Sequence, residues 1–537
     1  MRTFPSLPLL AAIITTASSA ITDPNFADGR TVIVHLFEWK WTDIAEECER
    51  FLGPYKFAGV QVSPPSEHEY FPDNEYSLYP YPWWQRYQPL GYALNSRSGT
   101  EAEFEDMVTR CNAVDVRIYV DAVINHMAAG SYDFPRVPYT EMDFNVPRGL
   151  CPSPDGGIWD VNNTDQMRYC NLLALSDIYY GPGNDYYGRD KVLEYMNKMV
   201  DMGVAGFRID AAKHMVPSDL VDLFDRLHDC PFGGRPYIYQ EVIDRFSNEA
   251  ITPSEYFDTG DVTEFKFCDQ VALIGRGSQP VDGFSDLGHA ARWNMMSTEN
   301  ALVFVENHDN QRNHGGGGEI LTYKEPTEYK KAVAFTLAWD FGTTRIFSGY
   351  AFNHSDEGPP SDAGGHTQSP TYDDQGLCGG GWVCEHRWPQ IRNMACFRNQ
   401  AGGEPVTKWW SNGNNFIAFS RGGSTFFALN NEPSTQSHRL QTGLPAGTYC
   451  DLITGDPTDT GCSGSSLTVD DDGMADIVLE SGEDSMLALS LGATSGRGQV
   501  DGCVVLSSAS RVTPSLSWLS CLLPMFILHC DKFKILF

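Results

Sequence analysis

Eight short runs rich in β-branched and aromatic residues recur between residues 30 and 400, at 31–37, 59–62, 116–124, 205–209, 237–240, 262–267, 301–305 and 345–348. Stretches with helical spacing of apolar residues separate them. Strands that alternate with helices are joined by crossovers and become parallel neighbours in one sheet. Eight such units predict a closed (β/α)₈ TIM barrel, whose functional side chains gather at the strand C-terminal ends. The helical stretches fit this. In 191–202, Val192, Tyr195, Met196, Met199 and Val200 share one face, as do Leu220, Leu223, Phe224 and Leu227 in the next unit.

Two regions break the pattern. Residues 127–190, rich in Gly, Pro, Asn and Tyr, are too long for an ordinary loop and predict a subdomain inserted after the third strand. The barrel is therefore expected over 21–126 and 191–404. From 405 to 492 the runs shorten, helices disappear, and NFIAFS, TFFALN and SMLALS predict a C-terminal antiparallel β-sandwich. Residues 1–20, with Arg2, an apolar core and the small residues Ser18, Ser19 and Ala20, have the form of a secretory signal peptide.

Secretion places the 14 cysteines in an oxidising compartment, where disulfides are expected. Local spacing pairs Cys378 with Cys384, Cys450 with Cys462 and Cys151 with Cys170; Asn162 and Asn353 head glycosylation sequons. The tail, 493–537, has two readings. Its polar spacer and the apolar stretch 518–529 follow the outline of a lipid-anchor signal, whereas Pro524 and the polar Asp531–Lys534 end favour a processed or disordered tail. A membrane partner follows only from the first. With 70 acidic against 38 basic residues the net charge is −32, which argues against nucleic acid as a partner.

Three of the runs end on, or lead directly into, a carboxyl group: Asp210 in GFRID, Glu241 in YIYQE and Asp309 in FVENHD. Glycosidic bonds are usually cut between carboxyl pairs, so acids at successive strand ends point to a glycoside hydrolase. In 206–210 the side chains alternate, so Arg208 and Asp210 face the lumen while Phe207 and Ile209 face the helices. Arg208 beside Asp210 favours the ionised carboxylate that a nucleophile needs. Glu241 follows an apolar-aromatic run close to two other acids, surroundings that suit a proton donor.

The motifs DAVINH (121–126), GFRIDAAKH (206–214), EVID (241–244) and FVENHD (304–309) resemble, in order and spacing, the four conserved regions of the α-amylase family of glycoside hydrolases. HLFEWKW, WWQRYQP (83–89) and CEHRWPQIRNM (384–394) narrow the resemblance to the animal-type members, over about residues 25–492. It implies a nucleophile at Asp210, a general acid/base at Glu241 and a transition-state stabiliser at Asp309. It also implies substrate contacts from His126, Lys213, His308 and His314, with an exposed stacking platform from Trp83, Trp84 and Tyr87. His314 opens a glycine-rich loop expected to be flexible near the cleft. Calcium would be held by Asn125, Arg168, Asp177 and His214, the arginine and histidine through backbone carbonyls. Chloride, as activator, would lie by Arg208, Asn307 and Arg345. Cys48 and Cys111 fit the family's disulfide pattern, and Cys230 and Cys268 are left to pair with each other. The resemblance implies a secreted monomer that cleaves internal α-1,4 bonds of starch, glycogen and maltooligosaccharides with retention. Its rivals are an exo-acting α-glucosidase or transglycosylase on the same barrel, and a non-catalytic glucan binder.

Overall fold

The computed structural model describes residues 21–27, 29–73, 77–181, 187–245, 249–315, 317–483 and 485–495. The signal segment and nearly all of the tail lie outside these residues. Eight parallel strands close a barrel: β1 (Val32–Leu36), β2 (Gly59–Val62), β3 (Arg117–Ala122), β4 (Gly206–Ile209), β5 (Tyr237–Gln240), β6 (Asp261–Thr263), β7 (Ala301–Val303) and β8 (Thr343–Ser348). Closure is made by β8 against β1, in register from Val32↔Thr344 to Leu36↔Ser348. The main helices are α1 (Trp41–Glu47), α2 (Glu101–Ala113), α3 (Tyr187–Asp201), α4 (Pro217–Asp225), α5 (Phe265–Arg276), α6 (Pro326–Ala338) and α7 (Pro389–Ala401).

Alternation sorts the strand side chains into two cores. Val32, Val34, Val60, Ile118, Val120, Phe207, Ile209 and Ile238 pack outward under the helices. Ile33, Tyr119, Tyr237, Tyr239 and Leu302 fill the lumen as a separate cluster. The large lumen rings need small neighbours. A Cβ on Gly59 would lie 2.5 Å from the Tyr119 ring, and one on Gly206 would lie 2.2 Å from the Tyr237 carbonyl oxygen.

The sixth predicted run is cut short. Residues 262–267 look uniformly strand-like, but the Glu264 carboxylate accepts the Lys266 amide at 3.0 Å and caps α5, so Phe265 and Phe267 belong to a helix. Between β3 and α3, the segment contains an antiparallel ribbon, His126–Ala129 against Leu175–Asp177, and a short helix, Thr164–Tyr169.

After α7, strands Val406–Ser411, Phe416–Arg421, Thr425–Asn430 and Met486–Ser490 form an antiparallel sheet whose last three strands are buried on both faces. On one face Phe416, Phe426 and Leu489 pack with Leu440, Ile477 and Leu479 of a neighbouring ribbon. On the other, Phe419 meets Phe335 of α6 and Phe427 meets Phe397 of α7, so this region shares the barrel's outer core.

Disulfides join Cys48–Cys111, Cys151–Cys170, Cys378–Cys384 and Cys450–Cys462. Cys396 is also disulfide-bonded. The expected Cys230–Cys268 pair does not form. Both are buried free thiols, donating separately to the Val204 and Phe304 carbonyls from different cores. Among the described residues no helix is long and apolar enough to cross a membrane.

Candidate active site

At the C-terminal mouth of the barrel, Arg208 points into the lumen from β4 and gathers acids from three strands. Its Nη1 donates to Asp121 at 2.6 Å and Asp210 at 2.7 Å, and its Nη2 donates to Glu241 at 2.5 Å. The β3–β4 register sets Asp121 directly beside Arg208. The second Glu241 oxygen accepts the Ala211 amide at 2.9 Å. Asp309 follows β7 and lies 3.2 Å from Nε2 of His308.

Arg208, Asp121, Asp210 and Glu241 are buried and Asp309 is half-buried, and burial changes the expected charge balance. It pushes Asp210 well above the usual carboxylate range; Arg208 opposes this, while Glu241 and Asp121 reinforce it. The expectation that Arg208 depresses Asp210 and so keeps it ionised is therefore overturned: burial outweighs the guanidinium. Burial likewise raises Asp121 and lifts Asp309 to about 7, helped there by Glu241. One guanidinium cannot neutralise four adjacent carboxylates, so the cluster as a whole retains protons near neutrality.

These acids open onto a cavity of about 480 Å³ whose lining includes all seven expected substrate contacts: Trp83, Trp84, Tyr87, His126, Lys213, His308 and His314. The tryptophan pair is less exposed than expected. Trp83 is 4% exposed and donates its indole N–H to the Ser355 carbonyl at 2.7 Å; Trp84 is half-buried. Tyr87 stacks on His308 at 5.1 Å and donates its hydroxyl to Asp121 at 2.8 Å. Burial and neighbouring arginines hold His308 neutral, and burial lowers His126 to about 4. Lys213 donates to the Ile243 carbonyl at 2.6 Å and pairs with Glu249.

Sequence reasoning passed over Asp121, although it opens the DAVINH motif and alternation from Tyr119 places it in the lumen. It also missed Leu173, a cavity-lining residue 86% exposed on a left-handed backbone (φ 49°), for which no local signal exists.

Asn125, Arg168, Asp177 and His214 converge on a second cavity, about 300 Å³, between the segment after β3 and the barrel. Asp177 is a fully buried carboxyl that burial raises well above its usual range, opposed by the amides of Asn145, which donates at 2.6 Å, and Asn125. Such a group suits a hard cation, which would stabilise the anion. The Arg168 side chain is turned away to Glu255 at 2.7 Å. Among the described residues no group of three or more His, Cys, Asp or Glu side chains could hold a metal, so any ion here would combine the Asp177 carboxylate with amide and carbonyl oxygens.

Arg345, another buried arginine of the lumen wall, contrasts with Arg208. Its Nη1 donates to Gln61 at 2.5 Å and its guanidinium lies 4.7 Å from the Phe304 ring centre. Among the described residues it makes no ion pair with a carboxylate, and burial and Arg208 both work against its charge. An anion fits this surrounding. Asn307 uses its Oδ1 to accept the Asp309 and Asn310 amides, at 3.1 and 2.7 Å, shaping the turn that carries Asp309.

Comparison with known proteins agrees with this architecture. Residues 91–231 match the family described as "Alpha amylase, catalytic domain", and residues 409–492 match "Alpha amylase, C-terminal all-beta domain". Alpha-amylase from the scallop Pecten maximus is 45% identical over 519 residues, covering 92% of this chain and 99% of the relative. Human alpha-amylase 1B is 47% identical over 500 residues, covering 87% and 95%. Among solved structures, a variant of alpha-amylase I from Eisenia fetida in complex with maltohexaose superposes with a TM-score of 0.81 at 42% identity, covering 87% of this chain and 98% of that one. A closed eight-stranded barrel, a C-terminal antiparallel sheet and full-length relatives of this identity lead to one conclusion: the chain belongs to the animal-type α-amylases, within the α-amylase family of glycoside hydrolases.

Proposed function

We propose that this chain is a secreted enzyme that hydrolyses internal α-1,4-glucosidic bonds of starch, glycogen and maltooligosaccharides with retention, acting as a monomer. The observation that carries this reading is the grip of one guanidinium on Asp210 and Glu241 at the cavity floor, with Asp309 on the adjoining wall. Shared contact with Arg208 keeps the two carboxyls close, as a retaining pair at roughly 5–5.5 Å requires.

In this mechanism Asp210 reacts in its ionised form, which the Arg208 guanidinium favours: one of its oxygens attacks the anomeric carbon while Glu241 gives its proton to the departing glycosidic oxygen. The C–O bond to the leaving chain breaks and a glycosyl ester with Asp210 forms. Glu241, now ionised, takes a proton from a water that attacks the same carbon and releases Asp210. Two inversions give net retention. Asp309 offsets the positive charge that develops on the sugar ring, and neutral His126 and His308 bond its hydroxyls. Trp84 and Tyr87 supply stacking surface along the glucan.

Two ions belong to this reading. Asn125 and Asp177, with carbonyls of Arg168 and His214, would hold calcium, whose chemistry is structural: it ties the 127–190 subdomain to the barrel. Arg345, with Arg208 and Asn307, would hold chloride, whose charge balances the lumen cations beside the acid/base. The proposed division of the chain is signal peptide 1–20, barrel 21–126 and 191–404, calcium-binding insert 127–190, sandwich 405–492 and tail 493–537.

The test is reducing-sugar release from soluble starch, with and without chloride, by the wild type and Glu241→Gln, with NMR of the first-formed anomer. Chloride-stimulated release of α-anomers that vanishes in the variant supports the reading. No release from folded, calcium-loaded protein overturns it, and release of glucose alone favours an exo-acting enzyme.

A further inference from the structure

A buried cation that the proposed chemistry does not use sits directly behind Asp309. Arg312 lies three residues on, at the end of the 307–312 turn, and is 2% exposed. Buried arginines normally face carboxylates. This one is surrounded by rings: its guanidinium lies 4.2 Å from the ring centre of Phe352, 5.0 Å from Tyr350, 5.1 Å from Phe37 and 5.7 Å from Trp83. Its Nη1 donates to the His308 carbonyl at 3.1 Å, and its own amide donates to the Asp309 carbonyl at 2.9 Å. Among the described residues it forms no ion pair: Glu306 and Glu385 act on it only at electrostatic range, the Tyr350 hydroxyl is its polar neighbour in the cage, and the rings supply the close contacts.

The same rings support the catalytic wall. Phe37 stacks on His308 at 5.2 Å and on Tyr350 at 5.8 Å, while Trp83 meets His308 edge-on at 5.4 Å. Arg312 thus holds the turn by its backbone carbonyls and the His308 ring through a shared aromatic wall. Its positive charge also reaches into the cavity and favours the ionised form of Asp309.

We propose that Arg312 is a positioning residue for the reaction: through its ring cage and its bond to the His308 carbonyl it fixes the His308–Asp309 pair at the cavity wall. This inference rests on the catalytic reading of Asp309 given above. The groups that face Asp309 are Glu241, Asp121, Arg208, Tyr87, His308 and Arg312, and only Arg312 is changed in the test. Loss of a nearby positive charge raises the pKa of an acid, so the acidic limb of activity moves to higher pH.

The experiment is steady-state kinetics on a maltooligosaccharide across pH for the wild type, Arg312→Gln and Arg312→Lys, with thermal unfolding of each. In Arg312→Gln, kcat is expected to fall roughly ten- to a hundredfold with little change in KM, because misplacement of a catalytic group is felt in the transition state. Its acidic limb is expected to shift upward. Arg312→Lys keeps the charge without the planar fork, so it should restore the limb while recovering only part of kcat. An unshifted limb in Arg312→Gln, or activity lost only in proportion to unfolded protein in both variants, overturns the inference. An inactive wild type would instead overturn the reading of the enzyme.

Discussion

Buried arginines appear both at the mouth of the barrel and at its junction with the C-terminal sheet, and the two groups differ in what neutralises them. At the mouth, Arg208 faces Asp121, Asp210 and Glu241. At the junction, Arg398 of α7 donates to carbonyls at the end of α6, to Trp339 at 2.6 Å and Gly342 at 2.7 Å. Arg421, from the sheet, joins it at the Ala338 and Trp339 carbonyls at 3.0 and 3.1 Å. Carbonyls at a helix C-terminus stabilise a cation and cannot titrate, and although burial and Arg421 lower Arg398 to about 9, the junction keeps its charge through the range in which the mouth acids gain and lose protons. Carboxyls can gain and lose protons, so the mouth can react. One residue type serves as structural clamp or as reactive centre according to its acceptors.

The largest effect that would sharpen this contrast is chemical. Asp210→Asn and Glu241→Gln should each lower kcat on starch on the order of a thousandfold or more while leaving thermal unfolding near wild type. Residual activity within tenfold of wild type would break it. Arg398→Met should do the reverse. It leaves a set of buried carbonyls without their donor and should cost roughly 3–5 kcal/mol in denaturant unfolding, with kcat per folded molecule and its pH profile unchanged.

Next is the pH dependence of stability. Glu264, buried at the end of β6, is raised from 4.5 to about 7 by burial. It binds its proton more tightly folded than unfolded, so its stabilising contribution is complete below pH 4.5 and is lost as pH rises through 7. Glu264→Gln should remove up to about 3 kcal/mol of that decline, read as a flatter unfolding free energy from pH 4.5 to 8, whereas Arg398→Met should leave the slope as it is. The smallest effect is expected at Arg345: Arg345→Gln should abolish chloride stimulation and leave roughly a tenth of the activity, since the acids and Arg208 stay in place. Undiminished chloride dependence would remove Arg345 from the anion site.

Much of the site was legible because strand periodicity is strict. Once 206–210 is a strand, Arg208 and Asp210 must share a face, and the same rule would have exposed Asp121 had it been applied to 117–122. Legibility failed where a signal was ambiguous or absent. Phe265 and Phe267 look like strand residues, and only the capping carboxylate of Glu264 identifies a helix start. Tryptophan pairs suggest exposed platforms, but Trp83 is buried because Ser355, 272 residues away in sequence, accepts its indole N–H.

By itself, the sequence determined the order of strands and helices, the facing of the lumen residues, the local disulfides and the family, because each depends on short-range periodicity or on motifs a few residues long. Only the tertiary structure decided how many carboxyls share Arg208, that Arg345 has no carboxylate partner among the described residues, that Cys230 and Cys268 stay apart, and that Arg312 is enclosed by four rings from three separate segments. Those outcomes depend on burial and on distances between residues remote in the chain. Burial raises Asp121, Asp210 and Asp309, so the protonation of these acids could be read only from the folded protein.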